Sequence, residues 1–323
     1  MGEGIEEARA WLARQCGAER AELEPLPGGA GARRYWRVHL AGGATRVLMH
    51  ALPEDPAILP PALRRSSGEL PFVAIARFLA GHGVPVPAIH ALDAQRRWLL
   101  LEDLGDTHLC DLAGAELSAR SGEALELLAR VHGLPRSDAL PFERCFDAEW
   151  IRFELATFER HGAPRAPAAR LGAALGELAD WIAALPHVLC LRDYQSQNLM
   201  IDARGHLRLL DFQDALLAPA ELDLAAFLWD SYVERSAAER AALLARYERA
   251  RGAAADRRAL AALVVQRKCK DLGRYHFVSE HKGDARYAPY VPRARAAVLE
   301  ALGDLPDALA RTGALLREAL AEP

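Results

Sequence analysis

One stretch limits what this chain can fold into more than any other: residues 189–223, LCLRDYQSQNLMIDARGHLRLLDFQDALLAPAELD. An apolar run at 188–191 breaks into a polar loop carrying Arg192, Asp193, Gln195, Gln197 and Asn198. Two short apolar runs follow, Leu199-Met200-Ile201-Asp202 and Leu207-Arg208-Leu209-Leu210, separated by Ala203-Arg204-Gly205-His206. That spacing reads as a β-hairpin with a glycine-containing turn. A hairpin returns its two ends to the same place. Asp193 and Asn198, on the entering side, are therefore expected beside Asp211, which heads Asp211-Phe212-Gln213-Asp214 on the leaving side.

The convergence has a chemistry. Asp211 and Asn198 are hard oxygen ligands suited to Mg²⁺, which keeps several waters and takes one or two carboxylates plus substrate phosphates. Asp193 is left to hold a hydroxyl that attacks a γ-phosphoryl group. A D-x-x-x-x-N loop followed by D-F-x is the arrangement of phosphoryl transfer on the protein-kinase plan. The plain alternative is a surface hairpin with solvated acids. D-x-x-x-x-N alone is weak, and it is the hairpin spacing and the following D-F-x-D that make the pattern specific.

On these residues the sequence resembles the aminoglycoside phosphotransferase and choline kinase group, whose loop usually reads H-x-D-x-x-x-x-N followed by D-[FW]-x-D. Within that group it is similar to the bacterial cell-wall-recycling kinases that phosphorylate N-acetylmuramate and N-acetylglucosamine at the anomeric hydroxyl. Four passages carry the closer likeness: Arg33-Arg34-Tyr35-Trp36-Arg37-Val38, Pro71-Phe72-Val73-Ala74-Ile75-Ala76-Arg77, Leu99-Leu100-Leu101-Glu102-Asp103-Leu104-Gly105-Asp106 and Asp211-Phe212-Gln213-Asp214-Ala215. The resemblance implies an α+β, bilobal protein-kinase-like fold. Its small β-rich N-terminal lobe, residues 1–103, would bind nucleotide. The larger helical C-terminal lobe, residues 104–323, would carry the catalytic loop and the acceptor site. It implies ATP and Mg²⁺ as cofactors and a small sugar as acceptor. Asp193 is then the catalytic residue, Asn198 and Asp211 the metal ligands, and Asp223 a structural brace for the loop. Arg192, Gln195, Gln213, Asp214 and Arg274 join Asp193 as candidate acceptor contacts. The loop opens on Leu191 where the group has histidine, which bears on loop rigidity more than on chemistry.

At 323 residues the chain exceeds one ordinary core, in keeping with two lobes. Its 51% apolar and 26% charged residues describe a soluble globular protein. A formal charge of −4 gives no reason to expect nucleic acid or an anionic membrane as partner. No apolar run is long enough to span a bilayer. The acidic start MGEGIEEARAWLARQ lacks a signal peptide's apolar core. Five scattered cysteines, with no CxxC, point to neither disulfides nor zinc but to a reducing cytoplasm. A monomer is expected.

Taken in order, residues 4–16 read as an amphipathic helix, and 35–40 and 45–51 as strands. Ahead of them Gly28, Gly29 and Gly31 form a cluster whose backbone N–H groups can face a triphosphate. Met49 falls where kinases carry a phosphate-binding lysine. The helix at 70–80, with Phe72, Val73 and Ile75 inward, supplies no glutamate partner, so both halves of that ion pair are missing together. A buried carboxylate without its cation would be costly, which makes the joint absence coherent. Arg33, Arg34 and Arg37 are the candidate cations for phosphate, against a reading as solvated edge charges. A hairpin at 89–92 and 98–101 leads to a connector where Glu102 and Leu104 would meet the adenine through main-chain groups.

Helices are expected at 116–133, 147–161, 166–184, 222–232, 236–251, 255–279 and 291–320. His132 reads as a packed or capping histidine. Trp150, Phe153, Glu154 and Phe158 share one face, an aromatic stripe of the kind that usually belongs to a core, though the resemblance implies that this region can border the acceptor sugar. The helix 255–279 turns basic in its second half, with Lys268, Lys270, Asp271, Arg274 and His276, followed by Lys282, Arg286 and Tyr287. Two readings stand: a solvated face, or an acceptor-side patch. Such a patch would suit an acceptor bearing a carboxylate and would suit a cationic aminoglycoside poorly. Beyond the amino-sugar kinase, the open alternatives are the same fold acting on an aminoglycoside, choline-like or other small hydroxyl compound, and a nucleotide-binding pseudokinase scaffold.

Overall fold

The computed structural model describes residues 2–16, 22–27, 32–53, 59–60, 63, 68–163, 168–283 and 285–321. Its N-terminal part is a five-stranded antiparallel sheet in the order β1-β2-β3-β5-β4: β1 (Glu22–Leu26), β2 (Arg34–His39), β3 (Thr45–His50), β4 (Ile89–Asp93) and β5 (Trp98–Glu102). The strands carry apolar side chains on both faces, and each face is covered. Val38, Leu48, Trp98 and Leu100 pack against Ala8, Trp11 and Leu12 of α1 (Gly2–Cys16), spaced i, i+3, i+4 along one helical stripe. Met49, Leu99 and Leu101 point the other way, toward Phe72, Val73, Ile75 and Leu79 of α2 (Pro71–Gly81). The alternation of Leu48 with Met49, and of Trp98 and Leu100 with Leu99 and Leu101, is the period-two pattern of a pleated strand. Burial on both faces is why β5 reads as an uninterrupted apolar run.

β1 is not anticipated by the sequence, since ELEPL has neither alternation nor strong strand formers. It holds its place as an edge strand, where Pro25 need not donate to a ladder.

The C-terminal part is helical: α3 (Gly114–His132), α4 (Ala148–Thr157), α5 (Ala168–Ala183), α6 (Glu221–Leu228), α7 (Ala237–Arg251), α8 (Arg257–Lys282), α9 (Val291–Ala301) and α10 (Ala310–Ala319). Three helices depart from expectation, the first being the predicted 222–232, which ends at Leu228. The predicted 291–320 is two helices, because Pro306 lacks an N–H and disfavours helical backbone at Leu305. The predicted 147–161 leaves α-geometry after Thr157 and continues as a π-turn, Phe158–Gly162. That turn lies directly against α8, and a Cβ at Gly273 would come within 2.3 Å of the Phe158 backbone nitrogen.

Between the sheet and the helices lie two small antiparallel ladders. β7 (Leu199–Ile201) and β8 (Leu207–Leu209) form the expected hairpin, pairing Leu199 with Leu209. Its turn is closed by Asp202, whose Oδ1 accepts from the backbone N–H groups of Arg204 and His206 at 2.9 Å. The second ladder, β6 (Val188–Cys190) against β9 (Leu216–Ala218), joins the flanks of the same stretch. Segments 191–198 and 210–215 are thus held at both ends by the two ladders. This bracketing, more than either loop's own preference, brings the polar residues together.

Candidate active site

The loop after β6 is drawn tight from outside. The Leu191 N–H donates to Asp223 Oδ2 at 2.7 Å, and the Ser196 N–H donates to Asp230 Oδ2 at 2.7 Å. Both carboxylates are buried, so each satisfies a backbone donor that would otherwise be orphaned. Behind Asp223 stands His132, with Nε2 at 3.2 Å from Oδ2 and Nδ1 at 2.8 Å from the Tyr247 hydroxyl. This histidine is a packed member of the brace.

Inside the loop, Asn198 Nδ2 donates to the Asp193 carbonyl at 2.8 Å and lies 3.5 Å from Asp211 Oδ2. The hairpin has therefore brought the Asp193 main chain, Asn198 and the Asp211 carboxylate together. Arg192 and Asp211 both adopt left-handed backbone, at φ +70° and +57°. For non-glycine residues this costs about 1–3 kcal/mol each and persists where the surroundings over-determine it. Here the surroundings are the two ladders.

Asp211 Oδ1 accepts from Arg33 Nη1 and from Gln213 Nε2, both at 2.9 Å. Phe212 beside it is fully buried, its ring tilted against that of Phe72 of α2 at 4.9 Å between centroids, so the segment is tied to the sheet side of the molecule as well. With its Nδ2 committed to the Asp193 carbonyl, Asn198 keeps its amide oxygen for a cation. One carboxylate and one amide oxygen from adjoining turns form a donor set that fits Mg²⁺.

A second cluster surrounds Asp193. Arg192 pairs with Glu154 at 2.8 Å and Asp214 at 3.2 Å, approaches Asp193 Oδ2 at 3.6 Å, and lies over the Trp150 ring. Arg267 pairs with Asp193 Oδ1 at 2.9 Å, and Lys270 with Glu154 at 3.3 Å. Burial alone would raise the Asp193 carboxyl, but Arg267, Arg192 and Lys270 outweigh it and hold the group well below the usual carboxylate range. Glu154 shows the same balance: burial raises it, while Lys270, Arg192 and hydrogen bonds from Arg192 and Gln266 bring it down to about 2. Burial pushes the Lys270 ammonium the other way, below its ordinary value.

The remaining candidates divide. Arg33 reaches Asp211, Gln195 accepts from Arg267, Gln213 bonds Asp211, and Asp214 bonds Arg192. Gly28, Gly29 and Gly31 lie outside the described residues. Arg34 is exposed on β2, opposite His50 in the ladder. Arg37 instead grips the connector, bonding Asp103 at 2.7 Å and Asp106 at 2.8 Å. The Glu102 side chain is bound to Arg208 and to the Ala88 N–H, and Leu104 is buried. Arg274 is exposed on α8, in none of the contacts around Asp193. The solvated-face reading of the basic segment fails for Lys268, which is buried and paired with Asp271, and for Lys270, which is largely buried and paired with Glu154.

The sequence alone does not single out Arg267, and it offers Glu154 only within an aromatic stripe. The one sequence signal for both is Gln266-Arg267-Lys268-Cys269-Lys270-Asp271, a charged run following seven apolar residues inside one helix. Polar groups carried inward on so apolar a helix need partners, and Glu154 and Asp193 are those partners.

Residues 22–263 match the phosphotransferase enzyme family (APH). The chain belongs to that family. An N-acetylmuramate/N-acetylglucosamine kinase of Pseudomonas putida is 32% identical over 308 residues, covering 88% of this chain and 85% of that protein. Among solved structures, a choline kinase from Streptococcus pneumoniae superposes with a TM-score of 0.65 at 15% identity, over 91% of this chain and 99% of that one. The same enzyme in complex with AMP gives 0.63 at 14% identity, over 92% and 98%. These confirm the protein-kinase-like α+β fold. The family member described here is an enzyme, a small-molecule kinase. Among the described residues, no helix is long and apolar enough to cross a membrane.

Proposed function

We propose that this phosphotransferase uses ATP and Mg²⁺ to phosphorylate the anomeric hydroxyl of an N-acetylated amino sugar, N-acetylmuramate or N-acetylglucosamine. The observation that carries the acceptor is the kinship with kinases named for those two sugars, at 32% identity across most of both chains. In this reading residues 1–103 present the nucleotide and residues 104–323 the acceptor, in a cytoplasmic enzyme of cell-wall sugar recycling that works as a monomer. Gly28, Gly29 and Gly31 would cover the phosphates, and the Glu102 and Leu104 main chain would meet the adenine.

Asn198 and Asp211 would hold the metal, with Gln213 steadying the Asp211 carboxylate. Bound there, Mg²⁺ neutralises charge on the phosphates. Asp193 orients the acceptor hydroxyl and takes its proton late, since a loose transition state asks for alignment more than for a strong base. A carboxylate held so far below its ordinary range suits that part. Arg33, already on Asp211, supplies positive charge beside the phosphates where Met49 cannot. Arg192, Gln195 and Asp214 border the acceptor.

A coupled ADP-release assay over a panel of acceptors tests the proposal. Mg²⁺-dependent turnover on the two N-acetylated sugars, with ³¹P NMR placing phosphate at the anomeric carbon, is the expected result. Turnover confined to choline, an aminoglycoside or homoserine would move the assignment elsewhere in the family. Nucleotide binding without turnover on any acceptor would support the scaffold reading.

A further inference from the structure

Arg267 reaches three oxygens of the catalytic loop from a different element. Its Nη1 donates to the Arg192 carbonyl at 2.8 Å, while Nη2 lies 2.9 Å from Asp193 Oδ1 and 3.3 Å from Gln195 Oε1. The side chain is only 5% exposed, so its orientation is fixed by packing within α8's buried face. The Arg192 carbonyl can be one of its acceptors because that residue takes left-handed backbone, at φ +70°. Leu191, just before, has no polar side chain to hold the loop. Asp271 stands 3.9 Å from the Nε of Arg267, and Lys268 at 2.8 Å shares that carboxylate's charge.

We propose that Arg267 is a positioning residue for phosphoryl transfer, fixing Asp193 by occupying Oδ1 and leaving Oδ2 for the acceptor hydroxyl. This rests on the kinase reading above. Arg192 Nη1 stands 3.6 Å from Oδ2, beyond hydrogen-bond length and drawn off by Glu154 and Asp214. A guanidinium suits the task because its planar fork serves several oxygens at fixed angles. An ammonium at the same place could reach one or two of them and would leave the carboxylate free to turn. The consequence is specific. Losing Arg267 misaims Asp193 toward the acceptor without altering the nucleotide's own contacts, so transfer suffers and non-productive hydrolysis of ATP does not.

The test compares wild type with Arg267→Ala and Arg267→Lys, measuring sugar phosphorylation and acceptor-independent ATP hydrolysis side by side. Displacing an aligned group by about 1 Å costs roughly 100-fold. Transfer kcat is expected to fall by about that factor in Arg267→Ala, with nucleotide KM and the hydrolysis rate within about twofold of wild type. Arg267→Lys should recover only a small part of the loss. Millimolar guanidinium should restore Arg267→Ala several-fold and leave wild type unaffected. Equal loss of transfer and hydrolysis, or full activity in Arg267→Lys, would overturn the proposal. If Arg267→Ala does not fold, the transfer-to-hydrolysis ratio of Arg267→Lys decides by itself. Wild type that transfers to no acceptor would instead defeat the kinase reading beneath it.

Discussion

Asp193 and Glu154 lie in one charge cluster, and their environments give each a measurable signature. Asp193→Asn keeps the shape and the Asn198 contact to its carbonyl but halves the side chain's acceptor capacity toward Arg267 and the acceptor. Acid–base groups contribute about 10²–10⁴-fold, so kcat should drop within that range while nucleotide KM stays nearly unchanged. Near-normal turnover in a steady-state assay would remove Asp193 from the mechanism. Glu154 speaks through stability instead. Its carboxyl sits at about 2 in the folded chain against an ordinary 4.5, so the folded state binds its proton less readily than the unfolded chain does. The stability it contributes is complete above pH 4.5 and drains away as pH falls toward 2. Glu154→Gln should therefore be less stable than wild type at neutral pH, by on the order of 3 kcal/mol, because Arg192 and Lys270 lose their partner. Its melting temperature should also fall less steeply in that acid window. Parallel Tm–pH curves for the two proteins would show that Glu154 is not the titrating group.

At the scale of elements, what the sequence revealed follows from how far apart the partners lie along the chain. The β7–β8 hairpin, with Asp193, Asn198 and Asp211 at its ends, was legible because every component falls within one short stretch and a period-two pattern with a glycine turn specifies it. Arg267 stands 74 residues beyond Asp193, and Glu154 38 residues before Arg192. Such pairings are set by helix packing, which no local pattern encodes. The pairing of β6 with β9 was equally beyond pattern reading, since no local pattern names a strand's distant partner. Gly273 belongs to this scale too. α8 can lie against the π-turn only because no Cβ intervenes, and one added there would meet Phe158 backbone at 2.3 Å. Neither backbone can yield cheaply. Gly273→Ala should destabilise by about 1–3 kcal/mol and, by shifting α8, also lower transfer activity. Thermal melts by circular dichroism check the first effect. An unchanged Tm would mean that α8 sits less tightly than its contacts indicate.

For the whole molecule, the question is how the sheet is kept in register with the catalytic loop when nothing covalent aligns them except the connector. Arg208 of β8 supplies much of the answer. Its guanidinium bonds Glu102 at the end of β5, the Val86 carbonyl and Asp202 in the hairpin's own turn. Beside it the Leu209 N–H donates to the Pro85 carbonyl at 2.8 Å, and the Ile201 N–H to Thr107 O at 2.9 Å. The hairpin that presents Asn198 and Asp211 is therefore bolted to the strand that leads into the connector, while Arg37 holds the connector's Asp103 and Asp106. These contacts make the distance between the nucleotide side and the acceptor side a property of the fold rather than of a hinge. Arg208→Ala removes the charged bolt but spares the backbone bonds. Hydrogen bonds to charged groups contribute about 1.5–3 kcal/mol, and the pair is partly solvated, so a loss near the lower end is expected. The kinetic effect should exceed the thermodynamic one: nucleotide KM rises and kcat falls together, because the sheet and the loop are no longer held at one separation. If Arg208→Ala loses stability while both kinetic constants hold, the backbone bonds alone maintain the alignment and Arg208 is merely structural.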